Sequence, residues 1–335
     1  MTYEEEWEMR KQRPATVWGS LGILLVALLS FASAGRAQVV SFATLKPGSL
    51  YHTMGTVVAK VVTQKTGMRM LVQPLGNDRA TMTALSRGQA EFAWADINSA
   101  LIATGGKFIY EGRMIKGLRL AANVQGVPVG VFVRKSSGIT TMEQLKGKRF
   151  PSDYPAFPNG VPLMQGILAA ANMTYDDVVK VPVQSLIPGV DDFIAGKIDV
   201  GFFAAGGPKV AEADSAVGGV RFIGLPNTPE ADARVKKVRP AYYIDVVQPA
   251  PFRAGIDGPT PLMVFDQVLL AGTHVSDKMV IEVLDTMVKY RDELIKGFRP
   301  FGAFIPKKMG KQYPGIEPHP GAVKFLKEKG FWKDM

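Results

Sequence analysis

From Val39 onward, short β-branched or aromatic runs alternate with stretches whose apolar residues recur every three or four positions. That alternation predicts an α/β fold with mostly parallel sheets. "VVSFATL" reads as a first strand, and "GSLYHTMGTVVAKVVTQKTG" as a loop and a helix. Met54, Val57, Val58, Val61 and Val62 share one face of that helix, with Gly67 as its stop. "RMLVQPL", "DRATMTALSRG" and "AEFAWAD" add strand, helix and strand. "GLRLAANV" and "VPVGVFVRK" look like two strands separated by Gln125 and Gly126, a crossing between lobes. The programme then restarts: "TMEQLKGKRF" as a helix running into a strand, "VPLMQGILAAANM" as a helix, "VVKVPV" as a strand, "IPGVDDFIAGK" as a helix, "IDVGFFAAG" as a strand. The stretch from Pro226 to Pro261 reads as loop-rich. A returning strand, "PLMVFDQVLLAGTHV", a helix from Ser276 to Phe298 and a last helix, "PGAVKFLKEKGF", complete the chain.

Two stretches spell nearly the same thing 108 positions apart, counting from Leu85 to Phe193. In "LSRGQAEFAWAD", Leu85, Gly88, Glu91 and Ala93 stand at the spacing of Phe193, Gly196, Asp199 and Gly201 in "FIAGKIDVGFFAAGG". Taken singly, each glycine is an ordinary helix stop and each acid an exposed residue ahead of a strand. Together they imply two lobes, each ending in a helix that leads into a strand, Trp94 to Asp96 in one and Phe202 to Gly206 in the other. Ligands of open α/β sheets sit beyond the carboxyl ends of the strands, so these two ends, with Asp96 and Phe203, face each other across a cleft.

At 335 residues the chain exceeds the size at which one core stops growing, which also favours two lobes. Arg10, Lys11 and Arg13 precede an apolar run from Val17 to Phe31, and small residues up to Ala37 follow it, the succession of a cleavable export signal at 1–37. The alternative, a membrane anchor, needs a longer run. Glu4, Glu5, Glu6 and Glu8 are odd ahead of such a signal, and Met9 is an alternative start. Export makes the expected location periplasmic. The chain has no cysteine, which excludes a lipid anchor on cysteine, disulfide staples and thiol chemistry. A net charge of +10 is spread without any run of five or six basic residues, so nucleic acid is not an expected partner.

Candidate chemistry gathers at helix starts and strand ends. The turn from Lys46 to His52 leaves backbone N–H groups free beside Ser49, an anion site in outline or a plain helix cap. Tyr51 offers a ligand an apolar face and a hydroxyl, or packs the cleft wall. Asn77 and Asp78 are placed to cap the next helix and to line the cleft. Trp94 reads as core or as a platform. Asp96, beyond an apolar strand, is placed to accept from a ligand amine or hydroxyl. Asn159, ahead of Pro162, outlines a second anion site from the opposite lobe. Tyr154, Pro155, Phe157 and Pro158 suggest a rigid apolar flank. The three histidines, His52, His274 and His319, lie far apart, and no nucleophile elbow, phosphate loop or metal spacing is present, so no catalytic residue, metal or cofactor is expected.

"GSLYHTMGTVVAKVV", a Gly-Asn element ahead of "ALSRGQAEFAWADI", then "LLAGTHVSDKMVIEVLDTMV" and "PHPGAVKFLKEKGFW" stand in an order that resembles TAXI-type solute receptors, the extracytoplasmic subunits of one branch of TRAP transporters. The resemblance spans residues 40–332. It implies a two-lobed, type II-like periplasmic binding protein with a cleft between two mostly parallel-sheet lobes, 38–123 plus 250–335 and 124–249. It implies a monomer that binds a small organic anion (carboxylate, oxo acid or amino acid) and delivers it to the membrane permease of a sodium-coupled TRAP transporter. It places Ser49, Tyr51 and His52, Asn77 and Asp96 at ligand-touching loops. "PSDYPAFPNGVP" replaces the family's Gly-Ser-Gly loop in the second lobe. His319 in "PHPGA" is expected to lock the C-terminal segment. The alternatives are a receptor for an ABC importer or a sensor, and an enzyme on the same bilobal fold.

Overall fold

The computed structural model describes residues 38–107 and 110–332. The expected export signal lies outside the described residues. The first half runs β1 (Gln38–Thr44), α1 (Leu50–Lys65), β2 (Met68–Pro74), α2 (Asp78–Ser86), β3 (Phe92–Asp96) and α3 (Ile97–Thr104). A long β4 (Leu118–Arg134) leads to β5 (Arg149–Asp153), α4 (Gly160–Ala170), β6 (Val179–Val183), α5 (Leu186–Ile194), β7 (Gly201–Ala204), α6 (Pro208–Val217), β8 (Val220–Phe222), α7 (Pro229–Val238) and β9 (Tyr242–Val247). The chain returns through β10 (Thr260–Gly272) to α8 (Asp277–Lys289), α9 (Arg291–Gly297) and α10 (Pro320–Glu328).

The larger sheet has the order β2-β1-β3-β10-β4-β7, with β8 on β4 and β9 on β10, while β5 and β6 pair separately. β1 pairs parallel with β3, and β5 with β6. β10 pairs antiparallel with β3, β4 and β9, and β4 antiparallel with β7 and β8. The first half thus holds its parallel β1–β3 pair against β10 inside the larger sheet, whereas the parallel β5–β6 pair of the second half is a sheet of its own beside it.

The repeated acids have the same job in both halves. The Ser41 N–H donates to Glu91 Oε2 at 2.5 Å while the Glu91 N–H donates to Ser41 O. The Arg149 N–H donates to Asp199 Oδ2 at 2.9 Å while the Asp199 N–H donates to Arg149 O. Each carboxylate thus satisfies a backbone donor of the first strand of its half, which would otherwise lack a ladder partner. Gly88 and Gly196 stop the preceding helices at φ 67° and 74°, where a side chain is strained.

Several local expectations change. "GLRLAANV" and "VPVGVFVRK" are one continuous strand, because Gln125 and Gly126 stay in the ladder opposite Gln267 and Asp266. "TMEQLKGKRF" does run into a strand, β5 from Arg149, but its helix is only a 3-10 turn, Glu143–Leu145, because Gln144 Oε1 accepts the Thr140 and Thr141 N–H groups and folds the segment back locally. The stretch expected to be loop-rich holds α7, capped by Thr228, and β9. The helix from Ser276 breaks at Tyr290, between α8 and α9. α1 ends at Thr66, whose N–H and Oγ1 both bond Val62 O, and not through a left-handed Gly67.

Two glycines set close approaches near the cleft. A Cβ on Gly55 would lie 2.4 Å from Thr44, so only glycine lets α1 sit this close to β1. A Cβ on Gly160 would meet the Tyr154 ring at 2.3 Å, which fixes the start of α4 over that ring. His319 caps α10: its Nδ1 accepts the Gly321 N–H at 3.1 Å, and its Nε2 then donates to Val275 O at 3.0 Å. Burial lowers its pKa, in keeping with a neutral ring. Among the described residues, no helix is long and apolar enough to cross a membrane.

Candidate functional site

A cavity of about 70 Å³ lies where the two repeats meet. The repeat itself accounts for its wall. Ser49 and Phe157, Tyr51 and Asn159, Asp78 and Leu186, and Asp96 and Ala204 all line it, and each pair is separated by 108 positions. The quasi-symmetric positions are chemically unlike: the first half presents a hydroxyl, a phenol and two carboxyls, the second an aromatic ring, an amide, an isobutyl and a methyl group. Phe202, Phe203, Leu163 and Phe265 complete an apolar wall.

The polar side is buried and interconnected. Asp96 caps α3, accepting from the Asn98 N–H at 2.8 Å and from Ser99 Oγ at 2.9 Å. Arg239, 2% exposed, reaches it from the end of α7 with Nη2 2.8 Å from Oδ2, and Tyr242 Oη donates to the same oxygen at 2.5 Å. Burial opposes the Arg239 charge, but Tyr242 and Asp96 outweigh it and the guanidinium pKa is raised. Asp78, 5% exposed, opens α2 and receives one side-chain hydrogen bond, from Asn159 Nδ2 at 2.6 Å. The cation that acts on it is Arg239, which is already paired with Asp96. Burial pushes the Asp78 pKa up to about 6 despite the Asn159 hydrogen bond.

Hydrogen bonds that join the halves run from Asn159 to Asp78 and Ser99, from Asn77 Nδ2 to Ala156 O at 3.2 Å, from Arg239 and Tyr242 to Asp96, and from the Ala241 N–H to Asn98 Oδ1. Two lining atoms are buried without a partner, Tyr51 Oη and Asn159 Oδ1. Buried polar atoms are nearly always paired, so these two atoms have hydrogen-bonding capacity left for a molecule in the cavity.

Of the residues singled out from the sequence, Ser49, Tyr51, Asp78, Asp96, Asn159 and Phe203 come together at the cavity. Ser49 caps α1, its Oγ accepting the His52 N–H, and no partner for the Leu50 and Tyr51 N–H groups is found among the described residues. His52 turns away and meets Thr44 Oγ1 through Nδ1. Asn77 caps α2 at the rim, outside the cavity wall. Trp94 is fully buried against Phe42, ring centroids 4.9 Å apart, and does not line the cavity. Asn159 is not a side-chain cap, because its amide spans the cleft instead. Arg239, Tyr242 and Ser99 were missed. The available signal was an arginine beside two tyrosines in "RPAYYID", inside a segment too rich in Pro and charge to read as core.

A family model for the NMT1-like family matches residues 42–330. The chain belongs to the NMT1-like family. A solved structure described as a periplasmic transporter is similar to this NMT1-like chain, with 17% identity over 89% of this chain and 95% of that one and a TM-score of 0.56. So is the structure of a putative sulfonate ABC transporter's periplasmic sulfonate-binding protein, SsuA, from Methylobacillus flagellatus KT, at 13% identity, 89% and 98% coverage and a TM-score of 0.50. At these identities the likeness concerns the fold. The NMT1-like chain thus has an α/β fold that matches those of periplasmic binding proteins.

Proposed function

We propose that this protein is an extracytoplasmic solute receptor of the TAXI type, which captures a small organic acid (carboxylate, oxo acid or amino acid) and hands it to the permease of a TRAP transporter. The observation that carries the reading is the cavity between the repeats, lined by buried polar atoms that have no partner of their own. The free N–H groups at the start of α1, a 16-residue helix, with the unpartnered Tyr51 hydroxyl beside them, suit a carboxylate. The periplasmic names of the similar structures support an exported receptor. Two lobes, 38–123 with 250–335 and 124–249, would move about β4, β9 and β10. Uptake into vesicles holding the partner permease tests the transport route. Sodium-driven uptake that requires this protein supports the TRAP reading. Uptake that requires ATP hydrolysis replaces it with the ABC alternative, and conversion of the ligand by the protein alone replaces it with an enzyme.

Closure is measurable by solution scattering: saturating ligand should reduce the radius of gyration, and an unchanged profile counts against hinge motion. A paired substitution checks the site. Tyr51→Ala removes a phenol that lines the cavity, and truncating an anchor of this kind costs about 2 kcal/mol, at least a tenfold loss of affinity. His319→Ala should instead lower the melting temperature and leave affinity unchanged, because it removes the α10 cap and orphans Val275 O. Calorimetry on both variants decides, and wild-type affinity in Tyr51→Ala would displace the site.

A further inference from the structure

We propose that Asp78 is the receptor's ammonium anchor, and that the ligand carries a protonated amine seated against Asp78 and the free Asn159 Oδ1, with an apolar body directed at the second lobe. The inference rests on the receptor reading and narrows its ligand class. Asp78 is a lining carboxyl group whose one side-chain hydrogen bond is from Asn159. The neighbouring Asn159 Oδ1 is a buried acceptor with nothing to accept. A buried acceptor without a donor, beside a carboxyl group whose side-chain donor is the Asn159 amide, calls for a donor-rich head group.

The charge balance points the same way. Around the cavity stand Asp78, Asp96 and Arg239, and the guanidinium is already committed to Asp96. The site therefore carries one carboxyl group in excess. An ammonium group cancels that excess, whereas a ligand with only carboxylate or sulfonate charge adds to it in a poorly hydrated space. The repeat supplies the orientation. The position equivalent to Asp78 is Leu186, and that equivalent to Asp96 is Ala204, so the charged end of a ligand belongs to the first half and its hydrocarbon or aromatic end to Leu186 and Phe203.

The pH dependence has a definite sign. The titratable and charged groups around Asp78 are Asp96, Arg239, Tyr51 and Tyr110, with Arg79 over the Tyr110 ring. Burial raises both tyrosines further above neutrality, so they stay uncharged. Asp78, held at about 6, is then the group that changes charge between pH 8 and pH 5. An ammonium ligand prefers the ionised carboxylate, so its affinity should fall about tenfold over that interval. A ligand carrying only carboxylate would tighten instead.

The test uses the secreted protein and matched probes: leucine against 4-methyl-2-oxopentanoate, phenethylamine against 3-phenylpropionate, and glutamate as an ammonium compound with a second carboxylate. Melting temperature and calorimetry at pH 8 should show stabilisation by leucine or phenethylamine, little by glutamate, and none by the two acids without an amine. The Kd of the bound probe should weaken about tenfold at pH 5, and Asp78→Asn should weaken it at least tenfold at pH 8 with an unchanged circular dichroism spectrum. Binding of an acid without an amine, or tightening on acidification, overturns the ammonium assignment and leaves the receptor reading intact. Binding by none of the five probes overturns the assignment as well. Conversion of a probe by the protein overturns the receptor reading.

Discussion

Arg239→Met should lower the stability of the ligand-free protein by about 3–5 kcal/mol, because it leaves Asp96 buried without its cation. Arg239 also lies over the Tyr242 ring, 4.8 Å from its centroid, and shares Asp96 Oδ2 with the Tyr242 hydroxyl. Its removal would turn a site with one excess carboxyl group into a site with two. For a chain of this size the melting temperature should drop by about 6–10 °C. The double variant Arg239→Met/Asp96→Asn should recover much of the loss, since an amide retains one acceptor for the Asn98 N–H and carries no charge. Thermal unfolding of the two single variants and the double variant checks this. A double variant no more stable than Arg239→Met would mean that packing of the arginine, and not its charge, holds the cleft together.

Asp78→Asn should do the opposite and stabilise the ligand-free protein, in a pH-dependent way. The folded-state pKa of about 6 lies above the ordinary value of 3.8, so the folded protein binds the Asp78 proton more tightly than the unfolded chain does. Stability contributed by this group is therefore complete below about pH 4 and is lost as pH rises through about 6. The loss amounts to about 2–3 kcal/mol at pH 8, because each tenfold difference in proton affinity between the folded and unfolded chain is worth ~1.4 kcal/mol. An asparagine can still accept from Asn159 Nδ2 and carries no charge to bury. The variant should thus melt higher than wild type at pH 8 and at the same temperature at pH 4. Equal melting temperatures at both pH values would show that Asp78 is not desolvated in the ligand-free protein. A stabilising substitution that weakens binding is the expected signature of a group kept for function.

The order of strands and helices was legible because it depends on short-range patterns. Ser49, Asn77 and Ser276 stand at caps where their hydroxyl or amide meets a local N–H, and each does so. The 108-residue repeat was legible too, and it carried more than it stated. Glu91 and Asp199, which read singly as exposed acids, each bind a backbone N–H of the strand that opens their half. The same offset relates the cavity wall on one side to the wall on the other.

The sequence by itself determined the alternation of elements, the twofold plan and the stretch of each half that faces the other, because periodicity, caps and turns act over a few residues. Only the tertiary structure decided which polar groups pair. Arg239 reaches Asp96 across 143 positions of sequence, Asn159 gives up a cap to bridge the cleft, and His52 and Trp94 turn from the cavity. The excess charge at Asp78 was likewise invisible in one dimension. A carboxyl group's pKa depends on how much water it loses and on which cation reaches it, and both are set by segments that meet only when the chain closes.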